Sequence, residues 1–154
     1  MTAEPRKAIF SVRRDDYVLS TDQARIDIGV VHGFLANDSY WARGLDPDVL
    51  KRALDHSLLI GIYAPDGTMA AFARVVTDYA MFAYLRDVFT LPAHRGKGLA
   101  SWLALEIRNH PELATVGSWM LATQDAHSVY EKAGYRPAPQ PGNYMTVPKP
   151  TKTS

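Results

Sequence analysis

Residues 88–101 read Val-Phe-Thr-Leu-Pro-Ala-His-Arg-Gly-Lys-Gly-Leu-Ala-Ser. Strand-forming residues stop at Pro92, two glycines free the backbone, and an apolar helical pattern begins. Consecutive N–H groups at such a turn converge into a concavity for an anion, and the helix dipole adds to it. Gly96 and Gly98 let a bulky phosphate approach the main chain, and Arg95 and Lys97 add charge. The dipole alone is worth about 0.3–1 kcal/mol, so N–H bonds to a pyrophosphate must supply most of the holding. The nucleotide-loop pattern Gly-x4-Gly-Lys-Ser/Thr is absent, and so is the three-glycine dinucleotide pattern. What stands instead is Arg-x-x-Gly-x-Ala, as Arg95, Gly98 and Ala100. The plain alternative for Arg95 and Lys97 is a pair of solvated loop charges.

Other chemistries find little support. His32, His56, His94, His110 and His127 show no paired spacing suited to zinc. There is no cysteine, which removes thiol catalysis, disulfides and Cys-ligated metals, and no Gly-x-Ser-x-Gly elbow for a serine hydrolase. Lys plus Arg number 17 and Asp plus Glu 16, a net charge of +1 that argues against a nucleic-acid-binding domain. The length of 154 residues suits one domain over 1–154, with 150–154 a frayed tail. No apolar run approaches the ~18 residues of a membrane span, and residues 1–7 lead into no signal-like stretch. A cytoplasmic location is expected.

The elements that must carry the loop follow from pattern. Residues 7–19 suggest a broken strand. Asp22 is placed to cap a helix over about 23–36, broken by Asn37-Asp38-Ser39. Asp46-Pro47 starts a second helix. The apolar run Leu58-Leu59-Ile60-Gly61-Ile62-Tyr63, a Pro65-Asp66-Gly67 turn, and segments 68–77 and 82–91 form a three-strand antiparallel meander. A helix with Leu99, Trp102, Leu103 and Ile107 on one side ends near His110-Pro111 and leads to a strand over 116–122. Together these make a parallel βαβ unit. Asp125 is placed to cap a short helix that closes at Gly134. Tyr144-Met145-Thr146-Val147 could form an edge strand.

This arrangement resembles the GNAT superfamily of N-acetyltransferases. The loop after Leu91-Pro92 is similar to that family's Val-x-Pro-x-x-Arg-Gly-x-Gly signature, and Ala126-His127-Ser128-Val129-Tyr130-Glu131-Lys132-Ala133-Gly134-Tyr135 is similar to its Ala-x-x-Leu-Tyr-x-Lys-x-Gly-Phe. The likeness covers residues 58–137 well and the N-terminal third by element order only. It implies an α/β fold: a mixed, mostly antiparallel sheet, splayed at the cofactor site and flanked by about four helices. It implies acetyl-CoA as acetyl donor. Backbone groups of Val88, Phe89 and Thr90 would bond the pantetheine arm. Those of Gly96, Lys97, Gly98, Leu99, Ala100 and Ser101 would hold the pyrophosphate, with Arg95 shaping the loop. Thr123 stands where the family often has a cofactor-contacting Asn. Tyr130 would protonate the departing thiolate. A phenol has a reference pKa of about 10, above a thiol's of about 8.5.

The implied reaction is direct attack by a primary amine, of a small molecule or a peptide, in a ternary complex. A strand N–H in the 88–90 stretch would stabilise the oxyanion. Asp87 is the first candidate for the base, with pairing to Arg86 or Arg74 its structural alternative. Asp78 comes next, His127 could relay a proton, and a water chain could serve instead. Trp41 and Tyr84 are candidate acceptor-pocket residues, an aromatic wall suited to an amine with an apolar or cationic body. A catalytically silent CoA-binding sensor or interaction module on the same fold is the rival reading. No metal, nucleic-acid or membrane partner is expected, and a homodimer is compatible with the sequence.

Overall fold

The computed structural model describes residues 8–150; the readings of the N-terminus (1–7) and of the frayed end (151–154) lie outside them. Six strands form one sheet in chain order: β1 (Ser11–Arg14), β2 (Tyr17–Ser20), β3 (Leu58–Tyr63), β4 (Met69–Thr77), β5 (Phe82–Thr90) and β6 (Ser118–Leu121). All neighbours are antiparallel except β5 and β6, which run parallel. Four helices flank the sheet: α1 (Ile28–Gly33), α2 (Pro47–Asp55), α3 (Leu99–Arg108) and α4 (His127–Glu131).

The period-two rule explains why β3 reads as an unbroken apolar run. Its side chains alternate between two cores. Leu58, Ile60 and Ile62 join Ala73, Val75 and Leu85 under Leu99, Trp102, Leu103 and Ile107 of α3. Leu59 and Tyr63 join Phe72 and Phe89 on the other face, against Val31, Leu35, Leu50 and Leu54. Each fully buried Leu or Ile contributes about 1.5–3 kcal/mol. The α3 contacts follow helical spacing, so the glycine loop leads directly into a helix clamped on the sheet.

Asp46 caps α2, accepting from the N–H groups of Asp48 (2.7 Å) and Val49 (3.3 Å), with Pro47 at the first helical position. Three expectations need correction. The helix over 23–36 is divided: a short turn at Gln23–Arg25 stops, and Asp27 caps a new start by accepting from Val30 N–H at 3.1 Å. The chain then widens into a π turn, Phe34–Asp38. The N-cap of α4 is Ala126 rather than Asp125, and the Thr123 hydroxyl accepts from its N–H at 3.1 Å. Tyr144, Met145 and Val147 form no strand and stand exposed. The broken strand in 7–19 resolves into the β1–β2 hairpin.

Candidate active site

The centre of the site is an irregularity in β5. Phe72 pairs with Phe89 and Arg74 with Arg86, so Ala73 alone faces both Asp87 and Val88. This is a β-bulge, and Asp87 takes φ 54°, the left-handed region that non-glycine residues rarely visit. The parallel pairing of β5 with β6 runs from Phe82 with Ser118 to Leu85 with Leu121 and stops there. From Arg86 onward β5 is bonded to β4 on one side, and among the described residues no strand pairs with it on the other. The backbone of Val88, Phe89 and Thr90 therefore faces a gap along the edge released by β6.

A cavity of about 520 Å³ occupies that gap. Arg86, Asp87 and Val88 form its floor, Tyr84 one flank, and Tyr40 and Trp41 another. Thr123, Asp125 and Tyr130 close it from the β6–α4 side. The structure thus brings Trp41, Tyr84, Asp87, Val88, Thr123 and Tyr130 to one place. Phe89 points instead into the core, stacked on Phe34 at 4.2 Å.

At the end of β5, Arg95 Nε donates to Thr90 O at 3.1 Å, tying the loop to the strand. Gly96 (φ 78°) and Gly98 (φ 73°) both need the left-handed region, and a Cβ on Gly96 would meet nothing within 4 Å. The first helical bond of α3 runs from Trp102 N–H to Gly98 O at 3.0 Å, and no side chain caps the helix. The N–H groups of Leu99, Ala100 and Ser101 therefore lie ahead of the helical ladder, as an anion cradle requires. The Ser101 hydroxyl turns to α4, donating to Val129 O at 3.3 Å. Lys97 Nζ donates to Tyr17 Oη at 3.3 Å, and Tyr17 Oη also bonds His94 Nδ1 at 2.8 Å, so the β1–β2 hairpin is fastened to the loop.

Burial pushes the Tyr130 phenol up to about 12, with Tyr40 and Asp125 adding to the effect. Tyr130 therefore stays protonated through any working pH. Asp87 is ion-paired: Oδ2 accepts from Arg74 Nε at 2.7 Å and Oδ1 from Trp41 Nε1 at 2.9 Å. Its partner is Arg74 rather than Arg86, whose guanidinium lies 5.7 Å over the Tyr84 ring. Asp78 is a turn cap that accepts from Ala80, Met81 and Phe82 N–H, bonds that lower its pKa; it does not line the cavity. His127 lines a second cavity of about 400 Å³ that shares Leu121, Ala122, Thr123 and Tyr130 with the first. Tyr40, Gln124 and Asp125 line the same cavity as Asp87 and Tyr84.

Comparison with known proteins decides the family. Residues 56–137 match the acetyltransferase (GNAT) domain model, more than half of the chain. The chain belongs to the GNAT acetyltransferases. A Gibberella zeae protein designated an acetyltransferase is 32% identical over 142 residues, covering 77% of this chain and 78% of that one. A Xanthomonas campestris crystal structure assigned to the GNAT family shares 42% identity with a TM-score of 0.82, over 87% of this chain and 94% of that one. Spermidine N-acetyltransferase from Vibrio cholerae, solved with CoA and spermine, shares the fold at 16% identity, with a TM-score of 0.63 and coverage of 79% and 81%. This GNAT chain is an acyltransferase, with a six-strand mixed sheet and four α-helices among its described residues. Among its described residues no helix is long and apolar enough to cross a membrane.

Proposed function

We propose that this GNAT acetyltransferase moves the acetyl group of acetyl-CoA to a primary amine by direct attack in a ternary complex. The observation that carries the reading is the release of β5 from β6 at Arg86, beside a cavity that Tyr130 closes and a strand that ends in the uncapped turn at Gly98. Bound acetyl-CoA supplies an activated thioester. The left-handed glycines fit a pyrophosphate, because a cradle lined by backbone N–H groups needs no Cβ in the way. Free backbone along Val88, Phe89 and Thr90 suits an extended pantetheine arm, and an N–H there suits negative charge developing on the carbonyl oxygen. The Thr123 hydroxyl accepts one bond and keeps its own proton to donate.

Tyr130 is the donor to sulfur. Full transfer from a phenol at about 12 to a thiolate of ordinary basicity is uphill by about 5 kcal/mol. The phenol therefore works as a hydrogen-bond donor while charge builds, and the proton shed by the attacking amine balances the sulfur. In this reading water carries the acceptor's proton, and the Asp87 carboxylate stays bonded to Arg74 and Trp41. The aromatic flank of Tyr40, Trp41 and Tyr84 suits an acceptor with an apolar or cationic body.

The test is CoA release from acetyl-CoA with 2-phenylethylamine, spermidine, glucosamine 6-phosphate and a lysine peptide. Turnover with at least one amine supports the reading. Tight CoA binding with silence across all four would favour the non-catalytic sensor.

A further inference from the structure

We infer that Asp87 is a positioning residue: its carboxylate, through the indole N–H of Trp41, latches the acceptor-side wall of the cavity onto the bulge of β5. The inference rests on the acetyl-transfer reading of this cavity and assigns a different role to the carboxylate nearest its floor.

Asp87 and Arg74 side chains are only 8% and 12% exposed, and both carboxylate oxygens are taken. The carboxylate thus serves two neighbours at once, one through each oxygen, and both bonds are charge-assisted. What it holds is more telling. Arg74 Nη1 donates to Ser57 Oγ at 3.2 Å, and the Ser57 hydroxyl donates to Ala53 O at 2.7 Å, in the last turn of α2. The ion pair is thereby anchored to the framework. On the other side lies Trp41, 46 positions away in sequence, on the short segment after the π turn. Ser39 fastens that segment at its start, donating to Leu35 O at 2.6 Å and accepting from Ala42 N–H at 3.0 Å. Trp41 meets Tyr40 edge-on at 5.0 Å, so holding the indole supports the flank that these two rings form.

The bulge gives the latch its aim. A regular strand would alternate Asp87 to one face with its neighbours; the extra residue and the φ of 54° re-aim its side chain. Aspartate tolerates that backbone state better than most residues, and its two bonds hold it there.

The test uses the full chain with 15N-labelled tryptophans. The Trp41 indole signal is assigned by Trp41→Phe, and its proton exchange with solvent is compared in the wild type and in Asp87→Gly, a change that suits the positive φ. The expected result is at least a tenfold faster exchange at Trp41, with Trp102 and Trp119 unmoved. An unchanged Trp41 rate overturns the latch, and this readout needs no turnover. In kinetics with the panel amines at saturating acetyl-CoA, Asp87→Gly and Trp41→Phe each raise the acceptor KM about tenfold. The double variant is no worse than Asp87→Gly, and the pH profile of kcat keeps its shape in all three. Trp41→Phe leaves the Asp87–Arg74 pair intact, so its effect cannot come from unfolding of that pair. Multiplied KM effects, or a pH-profile limb lost only in Asp87→Gly, would overturn the inference in favour of a base. Silence of the wild type toward every panel amine counts against acetyl transfer, while the exchange comparison still decides the latch.

Discussion

Replacing Arg74 by Met isolates the energetics on which the site is built. Methionine fills much of the arginine stem's volume but removes the cation, leaving the 8% exposed Asp87 carboxylate with only the Trp41 N–H. Breaking one side of a buried ion pair typically costs about 3–5 kcal/mol, because the remaining charge stays desolvated. The bond from Arg74 to Ser57 is lost as well. Against a typical total of about 5–15 kcal/mol, the variant is expected to stay folded with a large deficit. For a chain of this size each kcal/mol moves Tm by about 2–4 °C, so Tm should fall by about 6–20 °C. Urea unfolding by circular dichroism at pH 7 gives the deficit directly. The deficit has a pH signature. A lone buried carboxylate is relieved by a proton, so the folded state of the variant gains protons relative to the unfolded chain. The gap to the wild type should then narrow as pH falls toward 4. Adding Asp87→Asn should recover most of the loss, since the uncompensated charge is gone. A deficit below about 1 kcal/mol at pH 7, or one that widens on acidification, would refute the account of Asp87 as a carboxylate held by Arg74.

Other outcomes follow from the same geometry. Tyr130→Phe should lower kcat by about ten- to a hundredfold, the scale of one hydrogen bond to a charged group, with CoA affinity by calorimetry within about twofold; equal turnover would remove Tyr130 from the chemistry. Gly98→Val places a β-branched residue at φ 73° and should weaken CoA binding at least tenfold, and an unchanged dissociation constant would end the cradle assignment. Tyr63, Tyr130 and Tyr135 are each pushed up to about 12 by burial. Between pH 10 and 12 the unfolded chain gives up these protons and the folded one keeps them, so stability should fall across that window. Ultraviolet phenolate titration should show these three among the last of the eight tyrosines to ionise, and early ionisation of all eight would contradict their burial.

The parts legible in the sequence are those decided locally. β3 announces itself because both its faces are buried, so every position is apolar except Gly61. Asp46-Pro47 and the glycines at 96 and 98 report backbone needs that a few residues impose by themselves. What escaped is decided at long range. Asp27 interrupts the expected helix only by competing for Val30 N–H, and an Asp in mid-pattern can equally face solvent. The start of α4 falls to Ala126 with no side-chain cap, although Thr123, Gln124 and Asp125 stand just before it, and Thr123 bonds only the Ala126 N–H. The bulge at Asp87 is invisible to spacing, because its partners lie 13 and 46 positions away. The glycine loop was therefore readable, and Trp41 and Tyr84 could be named from sequence, while the bulge and the Trp41–Asp87 bond beside them needed the fold.

The division of β5, its first half paired to β6 and its second half released, carries a consequence for how such a site can change. Along the released half, whatever extended ligand lies there meets main chain, and main-chain groups are the same for nearly every residue type. A substitution at exposed Arg86 can alter charge, size and polarity while leaving that edge intact, whereas Asp87 and Phe89 are held by the bulge and the core. Tyr40, Trp41 and Tyr84 line the cavity with aromatic residues. One half of the reaction is thus written in a script that mutation scarcely touches, and the other in letters that can be exchanged singly. A scaffold of this kind can trade acceptors without relearning its donor.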